Sequence, residues 1–455
     1  MATQAIMPPH GDALRPSRAR LLLFAFGDFA FNLFWQSVML FLLFYYTDAL
    51  SLPIAVAATA FMIASIWDGI ANFVAGVLVD RRRATLPYGA LLVATAIPLG
   101  LTFVLAYSPP VTPGPLGVAS VFAAHLLFRT AYAASNVAYL AMTARISAES
   151  GDRAFVAGLR MLFGTLASVT VALATIPVGA WLTGDSDPAA AYLGSAILFA
   201  GVGAAILIVV GRTYREVAAP HAAAATSLGA ALASLAANRA FVTLNLAMMT
   251  IVVAITVLNK SVLYYFKYLL DDPDAGQLAL ASMGLVSVVA VPLWMLAERR
   301  LGLRTIWFIA AGAGIGGLTL FAAMDIGGTT AMQLFLVGLQ VAIVGLNFVF
   351  WGMLPNTIEY GERSTGVHVE GVVFGVAALL QRIAIGVATA ILGWSFDSAG
   401  YVANVPQSGS TLEAMRRTVA LVPLGFLALS CAAMWLNPLR RDTHRRIVRE
   451  LDAAA

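Results

Sequence analysis

The 455 residues are 60% hydrophobic and only 11% charged, against roughly 25% charged in an ordinary soluble domain, so the chain is not a water-soluble globule. A net charge of +4 would suit nucleic acid, but the basic residues form no patch interleaved with aromatics, and no nucleic-acid partner is expected. The single cysteine, Cys431, rules out an internal disulfide and a thiolate metal site, and reads as a small buried hydrophobe.

A spanning helix takes about 20 apolar residues. The apolar runs place twelve of them at 20–47, 53–79, 86–107, 117–144, 154–183, 190–211, 241–270, 277–297, 305–325, 331–355, 371–396 and 417–437. The first is too long for a signal-peptide core and lacks an A-x-A cleavage site before Thr47-Asp48, so it is expected to stay in the mature chain. It carries Asp28, Asn32, Trp35 and Gln36 at helical spacing, a polar stripe with an aromatic beside it. The second holds Asp68 and leaves through VDRRR, Val79 to Arg83. His125, Arg129, Tyr132 and Asn136 form a stripe on the fourth, Arg160 lies in the fifth, Lys260 in the seventh, Asn347 and Trp351 in the tenth, and Arg382 in the eleventh. Trp294, Trp394 and Trp435 fall near helix ends and read as interface anchors.

Arginines sort the loops. Arg15, Arg18 and Arg20 precede the first helix, Arg81 to Arg83 follow the second, and Arg145 and Arg153 bracket the fourth gap. Arg212, Arg215 and Arg239, then Arg299, Arg300 and Arg304, then the basic tail fall on the same side if there are twelve helices. Positive charge marks the cytoplasmic side, so both termini are expected there; arginine supplies every basic residue but Lys260 and Lys267, which with the alanine richness suggests a bacterial source and so an inner membrane. The opposite loops hold acids such as Asp48, Asp187, Asp271 and Asp272; Arg416 and Arg417, just outside the twelfth helix, are the exceptions. The alanine-rich stretch 212–240 joins an N-terminal half, 1–211, to a C-terminal half, 241–455. One weak internal repeat supports this: GVLVDRRR (Gly76 to Arg83) and LAERRLGLR (Leu296 to Arg304) leave the second helix of each half. The expected fold class is an all-α membrane protein of twelve transmembrane helices in two six-helix halves.

Charges inside the spans carry the functional reading. A charge at mid-bilayer costs at least ~2.5 kcal/mol, so Asp28, Asp68, Arg129, Arg160, Lys260 and Arg382 should face a protein interior or a watery cavity. That points to a solute pathway. The cations exceed the carboxylates by two: either a negative group on the substrate completes the balance, or Lys260 snorkels to the outer interface and leaves little excess. No P-loop, zinc-spaced histidines or nucleophile elbow is present, so no enzyme, no metal and no cofactor are expected.

Four motifs together resemble the glycoside–pentoside–hexuronide:cation symporters of the major facilitator superfamily, whose prototype is melibiose permease. They are FGDFAFNLFWQSVMLFLLFYYTDAL (Phe26 to Leu50), IWDGIAN (Ile66 to Asn72), NTIEYGERSTGVHVEG (Asn356 to Gly371) and LLQRIAIGVATAILGW (Leu379 to Trp394). The resemblance covers nearly the whole chain. It implies that Asp68 is the carboxylate of the coupling-cation site, whose second carboxylate is here Asn72. It places Asn32 and Asn136 where the prototype has sugar-binding aspartates, keeps the helix-five arginine as Arg160, and turns a helix-eleven lysine into Arg382. The helix-ten tryptophan position is Asn347, with Trp351 one turn on. VDRRR resembles the inner-loop gating motif, with Asp80 and Arg81 as its first members, and Glu359, Glu362, Arg363 and Glu370 are candidates for the same gate.

The expectation is a secondary transporter, acting as a monomer, that imports a sugar or glycoside, neutral or acidic, by alternating access. Asn32, Trp35, Asn136, Arg160, Trp351 and Arg382 are its candidate substrate residues, and Asp68 and Asp28 its coupling residues. H+ is the expected ion rather than Na+, because a hard cation wants several oxygen ligands whereas a proton needs one carboxylate. An uncoupled or lipid-type carrier of the same fold is the alternative; a membrane-embedded enzyme or receptor is the more distant one.

Overall fold

The computed structural model describes residues 16–81, 87–143, 145–147, 149–184, 187–215, 228–324, 327–365 and 370–440. Among them twelve helices are long and apolar enough to cross a membrane. We label these α1 (Arg18–Leu40), α2 (Ile54–Arg81), α3 (Tyr88–Ala106), α4 (Pro115–Thr143), α5 (Ser150–Thr183), α6 (Pro188–Thr213), α7 (Arg239–Tyr264), α8 (Pro273–Leu301), α9 (Leu303–Ala323), α10 (Thr329–Met353), α11 (Glu370–Ser398) and α12 (Gly409–Trp435). Six belong to each half of an all-helical fold.

Local chemistry sets the helix ends. Ser17 and Ser408 cap α1 and α12 by accepting from Arg20 N and Thr411 N, and Asp187 and Asp272 cap α6 and α8, each followed by a proline in the first turn. The Ser408 cap starts α12 eight residues before the expected position 417. Arg416 and Arg417 therefore sit inside the helix, where Arg416 donates to the carbonyls of Phe321 and Met324 at the end of α9, and Arg417 pairs with Glu413 one turn away at 2.8 Å.

The two halves repeat one another where α1 and α7 end. LFYYTDALSLP (Leu43–Pro53) and LYYFKYLLDDP (Leu263–Pro273) align without gaps. Each widens into a π-helical turn, Tyr45–Ala49 and Tyr265–Leu269, and each then turns through one residue of positive φ, Ser51 (55°) and Asp271 (53°). The closing bonds match as well: Leu50 N to Tyr45 O and Leu52 N to Tyr46 O, Leu270 N to Tyr265 O and Asp272 N to Phe266 O.

The halves meet along two seams, α2 with α11 and α5 with α8. Small residues let α2 and α11 approach closely, as helices in lipid require. A Cβ added at Gly393 would come within 2.1 Å of Ala58, and one at Gly386 within 2.8 Å of the Met62 carbonyl. At Gly69 the added atom would meet Leu379 at 2.6 Å. Two turns further along the same faces, Gly76 and Gly375 have nothing within 4 Å of that position. The seam is therefore tight at the Asp48 end and parts toward the arginine-rich end. The short helix Leu228–Ala237, within the central linker, docks on the helix Asn356–Thr365 through Ser234 and Thr365 at 2.8 Å; residues 216–227 lie outside the described ones.

Two further expectations change. Trp294 is not an interface anchor: it donates to Val341 O at 2.8 Å and its ring lies against Gly345, between α8 and α10. Lys260 does not snorkel outward, since it is 3% exposed in the interior.

Candidate functional site

Where the halves part, a cavity of about 1040 Å³ opens between α1, α5, α7, α8 and α10. One wall is the stripe of α1, Asp28, Asn32 and Gln36, facing Arg160 and Gly164 of α5; the other includes Asn259, Gln340 and Trp351. Arg160 donates to Asp28 at 3.2 Å and to Thr143 at 3.0 Å, with its guanidinium 5.1 Å from the Tyr139 ring. Asn32 donates to the Asp28 carbonyl at 2.9 Å, and Gly164 leaves room for its amide. Each half thus contributes polar atoms to a space otherwise lined by small and apolar side chains, the composition of a small-molecule site.

A second chamber, about 360 Å³, lies between α1, α7, α10 and α11. Gln36, Leu40 and Asn259 border both spaces, so the two adjoin. Its own walls include Trp35, Lys260, Asn347 and Gln381. Asn259 Oδ1 and Gln381 Nε2 are buried there with no hydrogen-bond partner.

Behind Trp35, one wall of the chamber, sits a charge cluster. Asp68 is fully buried; its Oδ2 lies 3.1 Å from Arg382 Nε and 3.7 Å from Arg129. Asn72, one turn on, donates to Oδ1 at 3.0 Å. Arg129 Nε donates to His125 Nε2 at 3.1 Å, so that histidine accepts. The Arg382 guanidinium lies 3.7 Å from the centre of the Trp35 ring, and Arg129 lies 5.0 Å from it. Two guanidinium groups share one carboxylate.

At the opposite end, the π turn of the first half holds Asp48, 8% exposed, against the second half. Oδ1 accepts from Lys267 at 2.6 Å and Tyr268 at 2.5 Å, and Oδ2 from Thr47 at 2.7 Å and Tyr401 at 3.0 Å. Asn404 donates to the Asp48 carbonyl at 2.8 Å, and Tyr264 reaches Thr47 at 2.8 Å. Burial, with Tyr264 and Asp48 adding to it, pushes the Tyr401 phenol above its ordinary range, so it stays a donor. This end is closed by a fully bonded carboxylate.

The structure brings Asp28, Asn32, Arg160 and Trp351 to the main cavity and Trp35 to the chamber. Arg382 turns to Asp68 instead, and neither it nor Asn136 is among the residues lining either space. The backbone of α2 runs to Arg81, but the side chains of Asp80, Arg81 and Glu370 lie outside the described ones. The Asp48–Lys267–Tyr401 cluster was not foreseen; the match of YYTDAL to YFKYLL is the signal that could have found it.

Twelve helices, two seams and a cavity to which both halves contribute polar side chains define a membrane transporter of the major facilitator type. The sequence matches the family described as MFS/sugar transport protein over residues 23–441, and the chain belongs to it. It is 27% identical to the glucuronide carrier protein homolog of Escherichia coli K12, over 94% of each chain. It is 24% identical to the isoprimeverose transporter of Lactiplantibacillus pentosus, over 90% of this chain and 86% of that one. In fold it resembles the inward-facing, unoccupied structure of a bacterial homolog of the human lysosomal transporter Spinster, with a TM-score of 0.69 and 11% identity over 95% of this chain and 99% of that one.

Proposed function

We propose that this protein imports a sugar or glycoside across a bacterial inner membrane by alternating access, coupled to H+ rather than Na+. The observation that carries the reading is the cavity of about 1040 Å³ lined from both halves by Asp28, Asn32, Arg160, Gln340 and Trp351. Hydroxyl groups need paired donors and acceptors and a sugar's C–H face packs on an aromatic ring; amides, an ion pair and an indole supply both. Relatives named for a glucuronide and for isoprimeverose support the substrate class.

With the arginine-rich end cytoplasmic, the conformation is open inward, and the Asp48 cluster is the closed outer gate. Opening to the outside breaks the bonds from Lys267, Tyr268 and Tyr401 to Asp48 and closes the gap beyond Gly76 and Gly375. Asp68 and Asp28 are the carboxylates of coupling. Each is held by arginine in this conformation, so uptake of a proton requires the pairs to loosen elsewhere in the cycle. Sodium is disfavoured because guanidinium groups and an amide, not a set of oxygens, surround Asp68. The protein works as a monomer with no bound cofactor.

Counterflow tests the substrate class. Proteoliposomes loaded with unlabelled pentoses, hexoses, hexuronates or their glycosides should accumulate the labelled form of at least one of them transiently. Absence of counterflow across the whole panel, from protein that binds none of the sugars, overturns the reading.

A further inference from the structure

We infer that the Lys260 chamber receives the negatively charged group of an acidic sugar or glycoside, with Lys260 as the residue that recognises it. The inference rests on the sugar-transport reading and assigns charge recognition to a residue that the family resemblance does not point to.

Of the cations Arg129, Arg160, Lys260 and Arg382, three are occupied by carboxylates. Arg160 holds Asp28, while Arg129 and Arg382 share Asp68. Lys260 has none among the described residues. Its ammonium donates to the Met39 carbonyl at 3.1 Å and lies 3.7 Å from the centre of the Phe61 ring, yet an ammonium has three donors. A buried cation without a counter-ion is costly, and an anion delivered by a ligand offsets that cost where an internal carboxylate does not. The surplus positive charge of the Asp68 cluster, reaching the chamber through Trp35, acts in the same direction.

The chamber supplies the rest of a binding site. Asn259 Oδ1 and Gln381 Nε2 face no partner in the protein, so a ligand carrying both a donor and an acceptor would satisfy one of each. Its volume, about 360 Å³, is at the small end of ligand pockets, roughly 300–1,000 Å³. Because Gln36, Leu40 and Asn259 border both spaces, a glycoside can place its charged ring in the chamber and its other substituent in the larger cavity. A carboxylate and a sulfonate share the required chemistry.

The test is a binding comparison on the purified full chain in lipid nanodiscs. Calorimetry would give Kd for methyl glycosides of glucuronate and galacturonate against their uncharged methyl esters, and for a 6-sulfonated methyl glucoside against methyl glucoside. Wild type should bind at least one acid about tenfold or more tightly than its neutral counterpart, the scale of one hydrogen bond to a charged group. Lys260→Met should bring the acid to within about threefold of the neutral form, leave the neutral Kd within about threefold of wild type, and not lower the thermal midpoint of the ligand-free protein. Lys260→Gln, which keeps a donor for Met39, should lose the preference equally and serves if the methionine variant fails to fold. Binding by wild type of neutral members only, or an acid preference that survives both substitutions, overturns the inference while leaving sugar binding intact. Binding of no sugar at all overturns the transport reading beneath it.

Discussion

Replacing Asp48 by asparagine should open the outer gate. The carboxylate accepts four donors, and Lys267, Tyr268 and Tyr401 come from the other half of the molecule. Asparagine keeps one acceptor oxygen and places an amide N–H₂ where hydroxyl groups now donate. A hydrogen bond to a charged group is worth ~1.5–3 kcal/mol net. Lys267 is 27% exposed, so solvent screens its share, and ~1 kcal/mol is a suitable figure for the ion pair alone. Adding the weakened phenol bonds, the closed gate loses about 2–3 kcal/mol that the open gate never had. At 1.36 kcal/mol per tenfold, that is a shift of roughly 30-fold to 150-fold toward the outward-open form. The assay is labelling of a single cysteine introduced by Ser287→Cys in the cavity wall, on a Cys431→Ala background, by an impermeant maleimide added outside right-side-out vesicles. Asp48→Asn should raise the labelling rate by about tenfold or more, and Lys267→Met should raise it less. An unchanged rate in both variants would refute the assignment of this cluster as the gate.

Asp68→Asn should abolish uptake against a gradient while leaving exchange partly intact, and because it strands the buried guanidinium of Arg129 and the half-buried one of Arg382 it should also lower folding stability by about 3 kcal/mol. Accumulation to the wild-type level, measured in the same vesicles, would show that Asp68 is structural. Arg160→Gln should cost ~1 kcal/mol or less in stability, since its pair with Asp28 borders the cavity with both side chains partly exposed, but should weaken substrate binding by about tenfold. An unchanged Kd would assign Arg160 to holding Asp28 alone.

Much of the fold was legible because apolar length and loop arginines carry it directly. The residues that went astray did so for local reasons. α12 was placed late because Arg416 and Arg417 look like loop charges, when one bonds the carbonyls at the end of α9 and the other a glutamate one turn away. Trp294 looked like an anchor because sequence position does not show that Gly345 opens a slot for its ring. The site was half legible: the α1 stripe and Arg160 follow from spacing and resemblance, but partner choice does not. Nothing in the spacing says that Arg382 turns to Asp68 and Trp35, that Arg129 joins it, or that Lys260 is left facing a chamber. Asp48 was read as a loop acid because the π turns that bury it depend on packing between the halves, although their sequences repeat.

The central claim is coupled sugar transport through this cavity, and uptake under imposed ion gradients tests it most directly. Purified protein would be placed in proteoliposomes with a labelled sugar identified by counterflow, acidic inside or outside, with or without a sodium gradient at constant pH, and with the membrane potential clamped. The account predicts accumulation above the external concentration when the outside is acidic, its collapse by a protonophore, and no accumulation driven by sodium alone. Accumulation driven by sodium at constant pH, or equilibration without accumulation under every gradient, would contradict it.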